Sequence, residues 1–363
     1  MSAAGLGTGR TSLVFACMDA DTLGGIQQVT HTLAQGLAER DFDVHVIGLH
    51  RAGDPFTYQV DPRYQRHLIS RGPLERMNPL KRRWADRRLR SIFESLGAGF
   101  AVLTSPAVVT RLAGLLPERF RTIGQYHGSY EHARGSWHLN AIRRHYGGLD
   151  QAVFLSEDDA LLFSEHALLP NTWSLPNPLD THAAGVAPLV GKRVLGVGRL
   201  EGVKRFDRLI TAFARAGVPG WELHLIGDGA ELERLRAHAH GEGVLERVRF
   251  RGRVPAEEMA AEYLYASVVA LSSEHEGMPM ALAEAAAHGV PTVAFDVSGG
   301  VRSLAGSLVP PGDMGAFAGA LAGLMRSPDE RRRLGAAARA RVADFRLERV
   351  LDRWESLFAH LRR

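Results

Sequence analysis

Short apolar runs recur along the chain, separated by stretches in which apolar residues return every three or four positions. Thr11–Cys17 reads as a strand, Ile26–Arg40 as a helix with Ile26, Val29, Leu33 and Leu37 on one face, and Asp43–Leu49 as the next strand. Further short strands are expected at Ala101–Leu103, Thr122–Tyr126 and Ala152–Leu155. The same rhythm restarts near residue 190. There, strands Arg193–Val197, Glu222–Ile226, Val248–Phe250, Val268–Leu271 and Thr292–Phe295 alternate with helices Arg205–Ala216, Ala230–His240, Met259–Ala266 and Met280–His288. Strand–helix alternation of this kind is the pattern of parallel βαβ units. Between the two series, Pro176–Gly191 lacks periodicity and is rich in Pro, Gly and Ala, the composition of a linker. The expected architecture is therefore α/β: two Rossmann-like, doubly wound parallel-sheet domains facing a central cleft. Their expected limits are a flexible tail over 1–10, a first domain over 11–180, a second over 181–342 and a closing helix over 343–363.

Composition narrows the class. At 363 residues, with 45% hydrophobic and 23% charged side chains, the chain suits a globular protein of two domains. No apolar run approaches the roughly 20 residues of a membrane span, and Met1–Arg10 carries no secretory cleavage pattern. A single cysteine, Cys17, excludes an internal disulfide and a cysteine-based zinc site. A cytoplasmic protein is expected. The net charge of +4 is unevenly spread, because Lys81–Arg90 holds six basic residues and one acid, and Arg331–Arg333 adds a second cluster. A solvated helix face accounts for such a run, and so does a patch around Arg82, Arg83, Arg87 and Arg88 for an anionic acceptor or a peripheral contact with anionic membrane. No aromatic reading platform accompanies the charge, so nucleic acid is not an expected partner.

In doubly wound sheets ligands sit beyond the carboxyl ends of the strands, and the distinctive residues lie there. Gly24 and Gly25 open the first helix and would let backbone approach a phosphate or sugar, although a tight turn explains them too. Asp19-Ala20-Asp21 has a spacing seen in metal–nucleotide sites, but loop aspartates are common and no metal is expected. Gly5–Gly9 precedes the first strand, whereas a dinucleotide fingerprint must follow it. His127, after the strand Thr122–Tyr126, is placed to hydrogen-bond a reacting sugar or to handle a proton near neutral pH, although among sixteen histidines a purely structural role explains it too. Gly198 to Lys204 sets two cations, Arg199 and Lys204, in a glycine-bounded loop, as charge neutralisation of a diphosphate requires, although surface charges on a loop account for such a pair too. Gly227-Asp228-Gly229 is a further strand–glycine–helix junction. The most specific stretch is 272–295, where Glu276 precedes a helix start marked by Gly277 and Pro279 and Glu284 falls on that helix.

These pieces, in this order, resemble the retaining nucleotide-sugar glycosyltransferases of the GT-B fold, in the family-four (group 1) class. The resemblance covers most of the chain and rests chiefly on Glu276-Gly277-Met278-Pro279 through Glu284 to Gly289-Val290-Pro291. It implies that Arg199 and Lys204 neutralise the donor diphosphate, that Glu284 binds the ribose hydroxyls, and that Glu276 with the amides of Gly277–Met280 holds the donor hexose. It further implies that His127 sits over the transferring sugar, that Gly25 approaches the diphosphate, and that Gly227 to Gly229 with Arg251–Val254, including Arg253 and Val254, line the base pocket. The segment Phe345–Phe358 resembles the family's final helix, which crosses back to the first domain. The implied reaction moves a hexose or N-acetylhexosamine, with UDP as the expected nucleotide, to a glycan, polyol-phosphate or lipid-linked acceptor, without cofactor or metal. A nucleotide-sugar epimerase on the same scaffold and a non-catalytic sugar-nucleotide-binding protein are the alternatives.

Overall fold

The computed structural model describes residues 10–73, 78–112, 114–180 and 185–362. The glycine-rich 1–9 and part of the expected linker lie outside them. Two compact units divide the chain: Met1–Pro178 with Leu347–Arg363, and Leu179–Arg346.

The first unit runs β1 (Thr11–Asp19), α1 (Gly25–Glu39), β2 (Phe42–His50), β3 (Gln65–Leu68), α2 (Pro79–Ser95), β4 (Gly99–Leu103), α3 (Pro106–Leu112), β5 (Phe120–Gln125), α4 (Tyr130–Arg134), α5 (Trp137–His145), β6 (Gln151–Phe154), α6 (Glu157–Ala167) and β7 (Thr172–Ser174). Its seven strands are ordered β3-β2-β1-β4-β5-β6-β7 and pair in parallel. The sheet is covered on both faces, which is why its central strands read as continuous apolar runs. On one face Leu89, Phe93, Val108, Tyr146 and Phe163 pack from α2, α3, the turn after α5, and α6.

The other face is covered by α1 and by α14 (Leu347–Leu361), the helix that returns the chain to this unit. Trp354 meets Phe15 edge to face with centroids 6.2 Å apart, and Phe358 stacks on Phe100 at 4.5 Å. Arg40, just past α1, donates to Glu348 at 2.5 Å, Asp352 at 2.7 Å and Glu355 at 2.8 Å. Three acids on successive turns of α14 thus hold one guanidinium at the end of α1.

The second unit runs β8 (Arg193–Val197), α7 (Phe206–Ala216), β9 (Glu222–Ile226), α8 (Leu232–Gly241), β10 (Val248–Gly252), α9 (Ala256–Tyr265), β11 (Val268–Leu271), α10 (Met280–Ala287), β12 (Thr292–Phe295), α11 (Gly299–Leu304), β13 (Ser307–Val309), α12 (Met314–Arg326) and α13 (Pro328–Val342). Its parallel sheet has the order β10-β9-β8-β11-β12-β13. The strands that the apolar pattern does not mark, β3, β7 and β13, are all sheet edges. An edge strand has only one paired side, so its sequence is short or polar, as in Gln65-Arg66-His67-Leu68.

Candidate functional site

In the second unit, the loops after β8, β9 and β11 are tied together largely by backbone. Gly198 N–H donates to Ile226 O at 2.9 Å, Leu200 N–H to Asp228 O at 2.7 Å, and Glu231 N–H to Leu200 O at 3.1 Å. Gly227 and Gly229 have φ of +136° and +156°, and a Cβ at either would overlap the carbonyl oxygen of Gly198 or Leu200. These two glycines therefore let one loop lie on another, a tighter demand than approach by a ligand. The 3₁₀ turn Gly202–Lys204 ends in Arg205, whose φ of +49° is left-handed. Glu274 N–H reaches back to Val203 O at 2.9 Å, and Ser272 Oγ donates to the carbonyls of Lys204 and Arg205 at 3.0 and 2.9 Å.

That lacing brings together residues 72 positions apart in sequence. Lys204 Nζ lies 2.7 Å from Glu276 Oε1, which also accepts Ser273 Oγ at 2.6 Å. The Lys204 side chain runs over Gly198, where a Cβ would come within 3.1 Å of its Cε. Glu276 itself is not helical. The chain turns through Gly277, Met278 and Pro279, and α10 starts at Met280. Gly277 O is held by Ser298 Oγ at 3.0 Å, and Met278 and Pro279 are buried.

Glu284, on the second turn of α10, accepts Tyr263 Oη at 2.6 Å. Burial pushes its carboxyl above the ordinary range, partly offset by the Tyr263 hydrogen bond. Burial also pushes the Tyr263 hydroxyl well above its usual value, so it stays a donor. His288 stacks on Tyr263 with centroids 5.5 Å apart, and its Nδ1 donates to Glu284 O at 2.8 Å. Arg199 is largely exposed and holds Glu201 at 2.9 Å. Arg253 is exposed 3.8 Å from Asp228, and Val254 beside it is half-buried. The second unit thus gathers Lys204, Glu276 and the start of α10 through direct contacts, and carries Arg199 and Arg253 as outlying cations.

In the first unit, His127 follows β5. Its Nε2 is buried without a partner among the described residues. Burial pushes the imidazole down to about 4, opposed by a hydrogen bond with Asn177. The ring is therefore neutral at neutral pH, with Nε2 open to a hydrogen bond from or to a ligand. Gly24 N–H donates to Tyr58 Oη at 2.8 Å, while nothing stands within 4 Å of a Cβ placed at Gly25. α1 has neither a side-chain cap nor an acid in its first turn, so its positive end is uncompensated within the helix. The Asp19/Asp21 pair is spent on the protein itself. Asp19 accepts the N–H groups of Asp21 at 2.9 Å, Thr22 at 3.2 Å and Ala52 at 2.8 Å, and Asp21 binds Arg51 and Arg66.

The basic segment is α2. Asn78 caps it by accepting Lys81 N–H at 2.9 Å, and Ala85, Leu89 and Phe93 form a buried stripe at helical spacing. Arg82, Arg83, Arg87 and Arg88 all lie on the exposed side, together with Leu80 and Trp84, over whose ring Arg88 sits at 5.4 Å. Tyr58, Tyr263, Ser273, Arg51 and Arg66 are the contributors that motifs do not reveal. A serine just before the Glu276 motif was the only local sign.

The Glycosyltransferase Family 4 model matches residues 23–183, and the Glycosyl transferases group 1 model matches 182–341, the region that holds Lys204, Glu276 and Glu284. The chain is a group 1 glycosyltransferase. It is 27% identical to the amylovoran biosynthesis glycosyltransferase AmsD of Erwinia amylovora, over 92% of this chain and 95% of that one. It is 29% identical to an exopolysaccharide phosphotransferase of Streptomyces coelicolor over 94% of its own length, and spans 40% of that longer protein. The solved structure of the Anabaena protein HepE in complex with UDP and glucose superposes with a TM-score of 0.77 at 16% identity, covering 96% of this chain and all of that one. The likeness shows the GT-B fold that the sequence motifs imply. Among the described residues, no helix is long and apolar enough to cross a membrane.

Proposed function

We propose that this glycosyltransferase moves a hexose or N-acetylhexosamine from a nucleoside-diphosphate sugar, with UDP as the nucleotide, to a glycan, polyol-phosphate or lipid-linked acceptor in the synthesis of an envelope or extracellular polysaccharide. The observation that carries the reading is the Lys204–Glu276 contact of 2.7 Å at the mouth of α10, with Glu284 one turn in. A cation, a hydroxyl-binding carboxylate and the positive end of a helix are what a sugar diphosphate needs. Polysaccharide synthesis is supported by the amylovoran relative, and a UDP donor by the UDP held in the HepE structure.

In this reading Lys204 and Arg199 take up charge on the departing diphosphate, Glu276 orients the hexose and Glu284 the ribose. The anomeric C–O bond to the diphosphate breaks as the acceptor oxygen bonds to the same face, with retention. The acceptor proton passes to a diphosphate oxygen, so no protein nucleophile enters. His127 contributes as a neutral hydrogen-bonding group. Two lysine and arginine charges replace a divalent ion, so UDP release from a UDP-sugar in the presence of acceptor is expected to be unchanged by EDTA. Abolition by EDTA with recovery on adding Mg²⁺ or Mn²⁺ would overturn the metal-free reading.

The exposed face of α2 supports a peripheral encounter with an anionic surface. Cationic side chains around an exposed Leu80 and Trp84 match an interfacial helix, in which the aromatic enters the headgroup layer. Replacing Arg82, Arg83, Arg87 and Arg88 with Ser is expected to abolish co-sedimentation with phosphatidylglycerol vesicles while leaving the thermal midpoint nearly unchanged, since these side chains bury little. Undiminished co-sedimentation would make the run a solvated face.

A further inference from the structure

Two arginines outside every motif share one buried carboxylate. Asp21, in the loop after β1, receives Arg51 Nε at 2.7 Å and Arg51 Nη2 at 2.5 Å on Oδ2, and Arg66 Nη2 on Oδ1. Arg51 directly follows β2, and Arg66 lies on the edge strand β3, so a loop and two strands converge on one point. Asp21 is 7% exposed, whereas the two arginine side chains are 33% and 37% exposed. A cavity of about 230 Å³ opens beside them, lined by Ala20, Asp21, Gly48, Arg51, Arg66 and His67 among others.

One guanidinium would neutralise Asp21, yet two are built in. The trio itself carries one positive charge in excess; Asp19, in the same loop, keeps its negative charge but turns its oxygens to three backbone N–H groups. Each guanidinium has five N–H donors in a rigid fork, and the Asp21 contacts use two from Arg51 and one from Arg66. The rest are held in place by the same carboxylate, so their ordering is complete before a ligand arrives. The loop that carries Asp21 continues into Gly24 and Gly25, at the carboxyl end of β1, where ligands of this sheet class bind.

We propose that Arg51 and Arg66 form an anion site for a phosphate group carried by the acceptor, with Asp21 as the positioning residue that aims both guanidiniums. Forked, partly desolvated arginines suit a tetrahedral phosphate oxygen set better than a sugar hydroxyl. The assignment to the acceptor rests on the glycosyltransferase reading above, and the site itself does not.

The test is a calorimetric titration of the nucleotide-free protein with inorganic phosphate and with glycerol phosphate, comparing the wild type with Arg66→Gln. This variant leaves Asp21 paired with Arg51, so the buried carboxylate is not orphaned, and a thermal melt verifies the fold. Phosphate bound elsewhere binds both proteins alike, so the difference between them reports on this site. The expected result is a saturable component weakened about tenfold or more in the variant, the loss of one charge-assisted contact. Identical isotherms for the two proteins, or no saturable component in the wild type, would overturn the proposal. Competition by glycerol phosphate points to a polyol-phosphate source, and competition by phosphatidylglycerol vesicles alone to a lipid headgroup; either upholds the site. Because no nucleotide enters the titration, failure of the donor reading leaves this result interpretable.

Discussion

Replacing Lys204 by alanine is expected to lower kcat/KM by about 10²–10³-fold, the scale seen when one preorganised group opposite developing charge is removed. It should also destabilise the protein. Lys204 and Glu276 are 22% and 11% exposed as side chains, and among the described residues Glu276 would keep the Ser273 hydroxyl as its side-chain partner. Orphaning a fully buried partner costs about 3–5 kcal/mol; with this much solvent contact about 1–3 kcal/mol is expected. The two effects separate in a double variant. Lys204→Ala with Glu276→Gln removes the unpaired charge, so the melting temperature recovers while activity does not. Recovery of activity in the double variant would mean that Lys204 acts only through Glu276.

The two glutamates should fail differently. Glu284→Ala is expected to weaken nucleotide binding by about 10–100-fold, because charge-assisted hydrogen bonds contribute about 1.5–3 kcal/mol, and Glu276→Ala to lower kcat by a similar factor with little change in nucleotide affinity. Equal effects of both on binding and turnover would contradict the division of roles. Glu284 also carries a stability signature. Its folded carboxyl titrates above its unfolded value, chiefly through burial, so the folded state is penalised as pH rises from the ordinary carboxylate range through that raised value. Glu284→Gln should therefore melt higher than the wild type at pH 7, and the gain should vanish by about pH 4, below the ordinary glutamate range. A binding residue that costs stability is what a functional position predicts.

The central strands were legible because a parallel sheet covered on both faces leaves a continuous apolar run, as in Val268–Leu271. The order of motifs after those strands made the Glu276–Glu284 segment legible as well. What local pattern cannot carry is the pairing of distant side chains. Tyr263 reaches Glu284 across 21 residues, Arg66 reaches Asp21 across 45, and Lys204 reaches Glu276 across 72. Each of these contacts is created by neighbouring strands and loops in the sheet order. The segment 276–279 reads from the sequence as the loop before a helix, and there Pro279 and the grip of Ser298 on Gly277 hold it as a turn. Gly227 and Gly229 look like a nucleotide signal, yet their left-handed backbone is demanded first by the loop against which they lie.

The measurement that tests the account most directly is a thermal-shift titration of the protein with UDP-, GDP- and ADP-linked sugars. At least one, with UDP-linked sugars expected, should stabilise the fold by roughly 2.7 kcal/mol at 100 times its dissociation constant. Absence of a saturable shift with every nucleotide sugar would contradict the account.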